Sequence, residues 1–149
     1  MATANVAYQG TGTLTITIPA DGAARESNAY DNGTNLDLDL HLMVKFTAGT
    51  VTGNKRAEDY LGVSHDGTAW EDILTGADAA YTFQSPSSLT LARVISTPTS
   101  SREYEVFIPV GSYFGGGLPK KSNVILKLDG TGTITSLSIS YQRIGATSA

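Results

Sequence analysis

The sequence predicts a single all-β domain, an antiparallel β-sandwich or jelly roll of about eight to nine strands with little helix. Three observations predict it. Apolar and polar residues alternate with period 2, most clearly from Leu36 to Phe46. Turn-forming pairs (Asp21-Gly22, Asn32-Gly33, Asp66-Gly67, Asp129-Gly130) and the prolines Pro19, Pro86, Pro98, Pro109 and Pro119 punctuate the chain at short intervals. No window of about a dozen residues keeps a helical period.

Taken in order, the first predicted strand is Thr13 to Ile18, closed by Pro19 and the Asp21-Gly22 turn. The second is the long run from Leu36 to Phe46. Leu36, Leu38, Leu40, Leu42, Val44 and Phe46 fall on one face; Asp37, Asp39, His41, Met43 and Lys45 take the other. A strand with one buried and one wet face belongs to an antiparallel sheet covering a core. Tyr60 to Ser64 and Ala69 to Leu74 flank the Asp66-Gly67 corner, a hairpin signal. Ala80 to Gln84, Leu89 to Ile95, Glu103 to Val110, Asn123 to Leu128 and Thr133 to Arg143 complete the set. Single helical turns are expected at Gly76 to Ala80 and Gly111 to Phe114. The predicted core comprises Leu14, Ile16, Ile18, the apolar face of 36–46, Leu61, Val63, Trp70, Leu89, Leu91, Tyr104, Val106, Ile108, Val124, Leu126, Leu137, Ile139 and Tyr141. Residues 1–12 read as an N-terminal arm, 13–144 as the sandwich domain and 145–149 as a C-terminal tail.

Composition narrows the function. The 149 residues include no cysteine, which excludes disulfides, thiolate metal sites and thiol nucleophiles. Ten basic and 14 acidic residues give a formal charge of −4, against general affinity for nucleic acid or anionic membrane. Neither a signal peptide nor a membrane span is expected, so the chain is read as a product of the cytoplasm. Charged residues make up only 16% of the chain, a weakly charged surface of the kind that assembles.

Each stretch that could carry chemistry has a plainer reading. Asp37, Asp39 and His41 would stand in a row about 7 Å apart. A hard cation needs oxygens converging from several segments, and a catalytic carboxylate needs a partner across a cleft; calcium with help from Asp31 and Asn32 is the alternative to a solvated face. Ser64, His65 and Asp66 are adjacent in a tight turn, which does not build a triad assembled from separate loops. Gly115, Gly116 and Gly117 lack the Lys-Ser or Lys-Thr and the helix start of a phosphate cradle, and read as a flexible loop. Lys120 and Lys121 offer a basic pair for an acidic neighbour. Tyr113 and Phe114, beside the glycines, are the aromatics singled out as a contact or sugar-stacking surface. No cofactor and no catalytic residue is assigned.

The segment Val63-Ser64-His65-Asp66-Gly67-Thr68-Ala69-Trp70-Glu71 resembles the strand, Ser-x-Asp-Gly turn and Trp-bearing return strand of β-sandwich binding modules, galactose-binding-like domains among them, and of bacteriophage structural proteins. It is also similar to the Asp-box of sialidase propellers, but that motif spaces its glycine one position later and comes in repeats. Over residues 34–130 the order of motifs, ending in Phe114-Gly115-Gly116-Gly117-Leu118-Pro119, resembles small tailed-phage virion proteins. The resemblance implies a virion component made in the host cytoplasm: a capsid decoration or cement protein first, a tail or tail-tube subunit second. Its partners would be the major capsid or tail proteins and further copies of itself, with Tyr113, Phe114, the Gly115–Gly117 loop, Lys120 and Lys121 as contacts. A carbohydrate-binding module is the reading from a different class.

Overall fold

The computed structural model describes residues 4–148 and is all-β. Ten strands form it: β1 (Ala4–Leu14), β2 (Ala24–Glu26), β3 (Tyr30–Asp31), β4 (Asp39–Thr47), β5 (Arg56–Ser64), β6 (Ala79–Tyr81), β7 (Thr90–Ser96), β8 (Glu103–Pro109), β9 (Lys121–Asp129) and β10 (Ser136–Ser148). A four-stranded sheet has the order β1-β10-β4-β8. The second sheet has the order β6-β2-β9-β5-β7, with β3 also paired to β9. Every pairing is antiparallel.

The alternation in β4 drives the packing. Leu40, Leu42, Val44 and Phe46 point inward and are at most 1% exposed. In register beside them stand Val106 and Ile108 of β8 and Leu137, Ile139 and Tyr141 of β10. Ala57, Leu61, Val124, Leu126 and Leu128 close the core from the second sheet. Each such side chain contributes roughly 1.5–3 kcal/mol when fully buried.

A second, smaller core lies on the other side of the second sheet. Strands β5 and β9 are buried on both faces, because the connection from β5 to β7, residues 65–89, folds back over them. Its Trp70, Leu74, Tyr81, Phe83 and Leu89 pack on Ala24, Tyr60 and Ile125. Gly62 permits the close approach, since a Cβ there would run into the Leu74 side chain. The Glu26 carboxylate, 1% exposed, ties the connection down. It accepts hydrogen bonds from Thr75 N (3.1 Å), Thr75 Oγ1 (2.8 Å), Gly76 N (3.2 Å) and Asn123 Nδ2 (3.0 Å). Asp72 holds its far end, accepting from Ser87, Ser88 and Tyr81.

Several expectations are corrected. Residues 4–12 are no arm but most of β1, paired along β10, and β10 itself runs into the expected tail as far as Ser148; residues 1–3 and 149 lie outside the described part. The predicted strand from Thr13 breaks after Leu14, where the chain leaves the sheet, and Ile18 is 39% exposed. The long strand starts at Asp39, because Leu36 takes a left-handed φ of 53° that interrupts the extended backbone. Leu36 and Leu38 are therefore exposed and Asp37 buried, the reverse of strict alternation. Ala69 to Leu74 forms bends and turns, Leu91 is exposed on the edge strand β7, and Gly76 to Ala80 contains no helical turn. The turn expected near Gly111 is present as a 3-10 helix over Val110–Tyr113.

One buried group works against the fold. Asp59 of β5 stands in register with Leu126 on the inward face, 0% exposed, and neither carboxylate oxygen has a hydrogen-bond partner. Burial pushes its pKa up from 3.8 to about 7. An acid with a raised pKa keeps its proton in the folded state while the unfolded chain releases it. Its contribution is therefore best below about pH 4, declines as the pH rises to about 7, and is level beyond. Asp59→Asn removes this titration. Denaturant melts should show the wild type losing, relative to the variant, on the order of 4 kcal/mol across that interval. A constant difference between the two proteins from pH 4 to 8 would contradict the assignment.

Replacing Glu26 by alanine leaves the Thr75 and Gly76 amides unpaired and Asn123 Nδ2 with only the Ser27 carbonyl, 3.3 Å away. Glu26→Ala should cost roughly 3 kcal/mol or more and make residues 65–89 the first site of limited proteolysis.

Candidate functional site

The two sheets are covered unequally. Residues 65–89 overlie the β2-β9-β5 part of the second sheet's outer face and leave Leu91 and Val94 of the edge strand β7 exposed, whereas no described segment overlies the outer face of the four-stranded sheet. Register places the side chains of that open face. Ile144 stands between Tyr8 and Asp39, Gln142 between Thr11 and His41, and Ser140 between Thr13 and Met43. Pro109 and Phe107 of β8 continue the His41 and Met43 rows. The next rows are charged: Lys45 Nζ lies 3.0 Å from Glu103 and 3.3 Å from Glu105.

The face is thus divided into an apolar and aromatic half and a charged half. Val6 and Tyr8 are 70% and 72% exposed and Phe107 46%, unusual exposure for large apolar side chains. Between Tyr8 and Phe107 runs a shallow groove of about 380 Å³, floored by Thr11, His41, Met43, Ser140 and Gln142. His41 stacks edge-on against Phe107 with ring centroids 5.1 Å apart, and its Nε2 lies 3.3 Å from Asp39. Gln142 donates through Nε2 to the Gly10 carbonyl at 2.9 Å and to the Arg143 carbonyl at 3.2 Å, which fixes the side chain at the groove. Beneath the sheet, the Tyr141 ring fills the space where a Cβ on Gly12 would sit, so this glycine admits the tyrosine.

The residues singled out from sequence lie elsewhere. Tyr113 and Phe114 are half-buried and pack on the main core, and the Tyr113 hydroxyl donates to the Ala92 carbonyl at 3.0 Å. The loop Gly115, Gly116, Gly117 is exposed, with left-handed φ at Gly115 and Gly116. Lys120 lays its aliphatic stem across Gly33 and Gly67 with an exposed head. Lys121 opens β9, its Nζ 3.7 Å from Asp31. Together they form a loop surface at one end of the sandwich, away from the open sheet face.

The supposed row of Asp37, Asp39 and His41 is broken up. Asp37 turns inward and accepts hydrogen bonds from the Tyr30 hydroxyl and from Arg143 Nε at 2.8 Å. Burial pushes its carboxyl up, but the bonds from Arg143 and Tyr30 outweigh that and hold it below the ordinary aspartate value. Burial, and then Asp37, push Tyr30 up to about 12. Asp39 accepts from Gly111 N at 2.8 Å, linking β4 to the 3-10 helix. Asp66 organises its own turn, accepting from Thr68 N and Ala69 N at 2.7 Å each, bonds that lower its pKa. Among the described residues no three His, Asp or Glu side chains come together as a metal site. None of the described helices is long and apolar enough to cross a membrane.

The open face leaves only a weak mark in the sequence. Tyr8 lies in the stretch read as an arm, and Phe107 lies inside the predicted strand from Glu103 to Val110. The usable signal was its place in β8, where Val106 and Ile108 take the inner face and leave Phe107 on the wet side. In comparison with known proteins, no family profile, curated protein or solved structure matches the chain.

Tyr113→Phe tests whether that tyrosine serves packing. The variant should lose about 1 kcal/mol in denaturant melts by leaving the Ala92 carbonyl with only the long 3.4 Å bond from Arg93; an unchanged midpoint would show that the hydroxyl is free for another role.

Proposed function

We propose that the protein is a non-catalytic structural component of a phage particle, a capsid decoration or cement protein that docks through the open face of the four-stranded sheet. The observation that carries the docking surface is the unequal covering of the two sheets: residues 65–89 lie over much of one outer face, leaving Leu91 and Val94 exposed only at its edge strand β7, whereas Val6, Tyr8 and Phe107 share an outer face that no described segment covers. An apolar half-face beside a Lys45–Glu103–Glu105 cluster suits a partner that offers an apolar patch with a charged rim. The phage particle enters through the resemblance in the order of motifs over residues 34–130. Repetition over a shell turns modest contacts into firm attachment by avidity. The exposed Gly115–Gly117 loop and Lys120 offer a second contact at the end of the sandwich.

The groove also supports a second reading, binding of a neutral glycan, with Tyr8 and Phe107 as stacking rings and Thr11, Ser140 and Gln142 as hydroxyl partners.

Co-sedimentation with expanded phage capsids lacking the protein tests the first reading. Wild type should pellet with the capsids, and Tyr8→Ser/Phe107→Ser should bind at least about 30-fold more weakly while melting normally. Binding unaffected by the double substitution would remove the sheet face as the docking surface. A glycan-array signal lost in the same variant, with no capsid binding by the wild type, would establish the second reading instead.

A further inference from the structure

Strand β1 leaves one edge of the four-stranded sheet open: among the described residues no strand pairs with it on the side away from β10. Sheets normally blunt such edges with charges, prolines, shortness, a covering segment or a bulge. β1 is 11 residues long and carries neither a charged side chain nor a proline. Only a bulge at Gln9, between the Tyr8 and Gly10 pairings, interrupts it. Beyond the bulge, Gly10–Leu14 lies along Ile139–Arg143 of β10, which is itself paired to β4.

This segment is nearly symmetric about its centre. In Gly10-Thr11-Gly12-Thr13-Leu14, a threonine stands on each side of Gly12, and both threonines are exposed on the outer face, in register with Gln142 and Ser140. Gly12 presents no side chain at all. The order reads the same in both directions where it matters, which is what an isologous contact needs.

We propose that β1 pairs antiparallel with β1 of a second copy, about a two-fold axis at Gly12. Thr11 then stands opposite the second copy's Thr13, and the reverse, as cross-strand threonine pairs. The uncharged edge brings no like charges together. Area argues the same way. With strands about 4.8 Å apart and about 3.4 Å per residue, one four-stranded face offers on the order of 600 Å², below the roughly 800 Å² per partner of a standard interface. Pairing through β1 joins two faces into one and doubles it. The pairing rests on the edge alone; only the doubled docking face rests on the function proposed above.

Light scattering during size-exclusion chromatography tests it. Wild type should have twice the 15.6 kDa mass of the chain. Thr11→Lys/Thr13→Lys places like charges opposite one another and should give the mass of a single chain. Thr11→Lys/Thr13→Glu places opposite charges face to face across the axis and should stay dimeric. Both variants alter only exposed side chains, and circular-dichroism melts compare their folding with the wild type. A wild type that is monomeric up to about 1 mM, a dimer that survives the double lysine, or equal dissociation of both variants would overturn the pairing. A dimer that ignores capsids would sink the docking role and leave the pairing intact; a monomer that binds them would do the opposite.

Discussion

A β-sheet has two faces, and both must be accounted for. In this protein the second sheet would expose Tyr60 and Ile125 if only the sandwich core were built, and residues 65–89 cover them. The cover is a connection with only the short β6 as regular structure, so packing alone gives it little cooperativity. The Glu26 carboxylate supplies the anchor: a buried charge whose hydrogen bonds come from two backbone amides, a hydroxyl and an amide side chain. Charge-assisted bonds in a dry site hold geometry firmly, and the same dryness makes them costly to break.

The asymmetry of the molecule is a consequence of that cover. One sheet is covered on its inner face and over much of its outer face, the other on its inner face alone. The covered sheet carries the polar groups that fix the fold, Glu26 and Asn123, together with the unpaired Asp59, while the open sheet carries an aromatic groove and a charged strip at the surface. Asp37 links the open sheet to the second one, because Arg143 on β10 and Tyr30 on β3 both reach its carboxylate. Rigidity beneath the open face comes from such links, and a rigid face binds without an ordering penalty.

How much of the fold and of the open face is legible in the chain depends on the range of each interaction. The inward set of β4 can be read because alternation is a property of neighbours in the chain, and the 3-10 turn near Gly111 because glycine and proline mark it locally. Leu36 and Leu38 mislead for the opposite reason. Their period is correct, but the left-handed Leu36 backbone and the pull of Arg143 and Tyr30 on Asp37 reverse the faces at that end. The first dozen residues look like a polar arm because β1 needs no apolar alternation of its own; it is held by its pairing to β10.

The amino-acid sequence by itself determined the all-β class, the inward faces of β4 and β8 and most of the turns, since period and turn chemistry act over a few residues. Tertiary structure decided that Asp59 and Glu26 are buried, that Tyr113 packs inward, and that Tyr8 and Phe107 flank a common groove. These depend on which strands become neighbours and where 65–89 is laid down. Both are set by contacts between residues far apart in the chain, which no local pattern encodes.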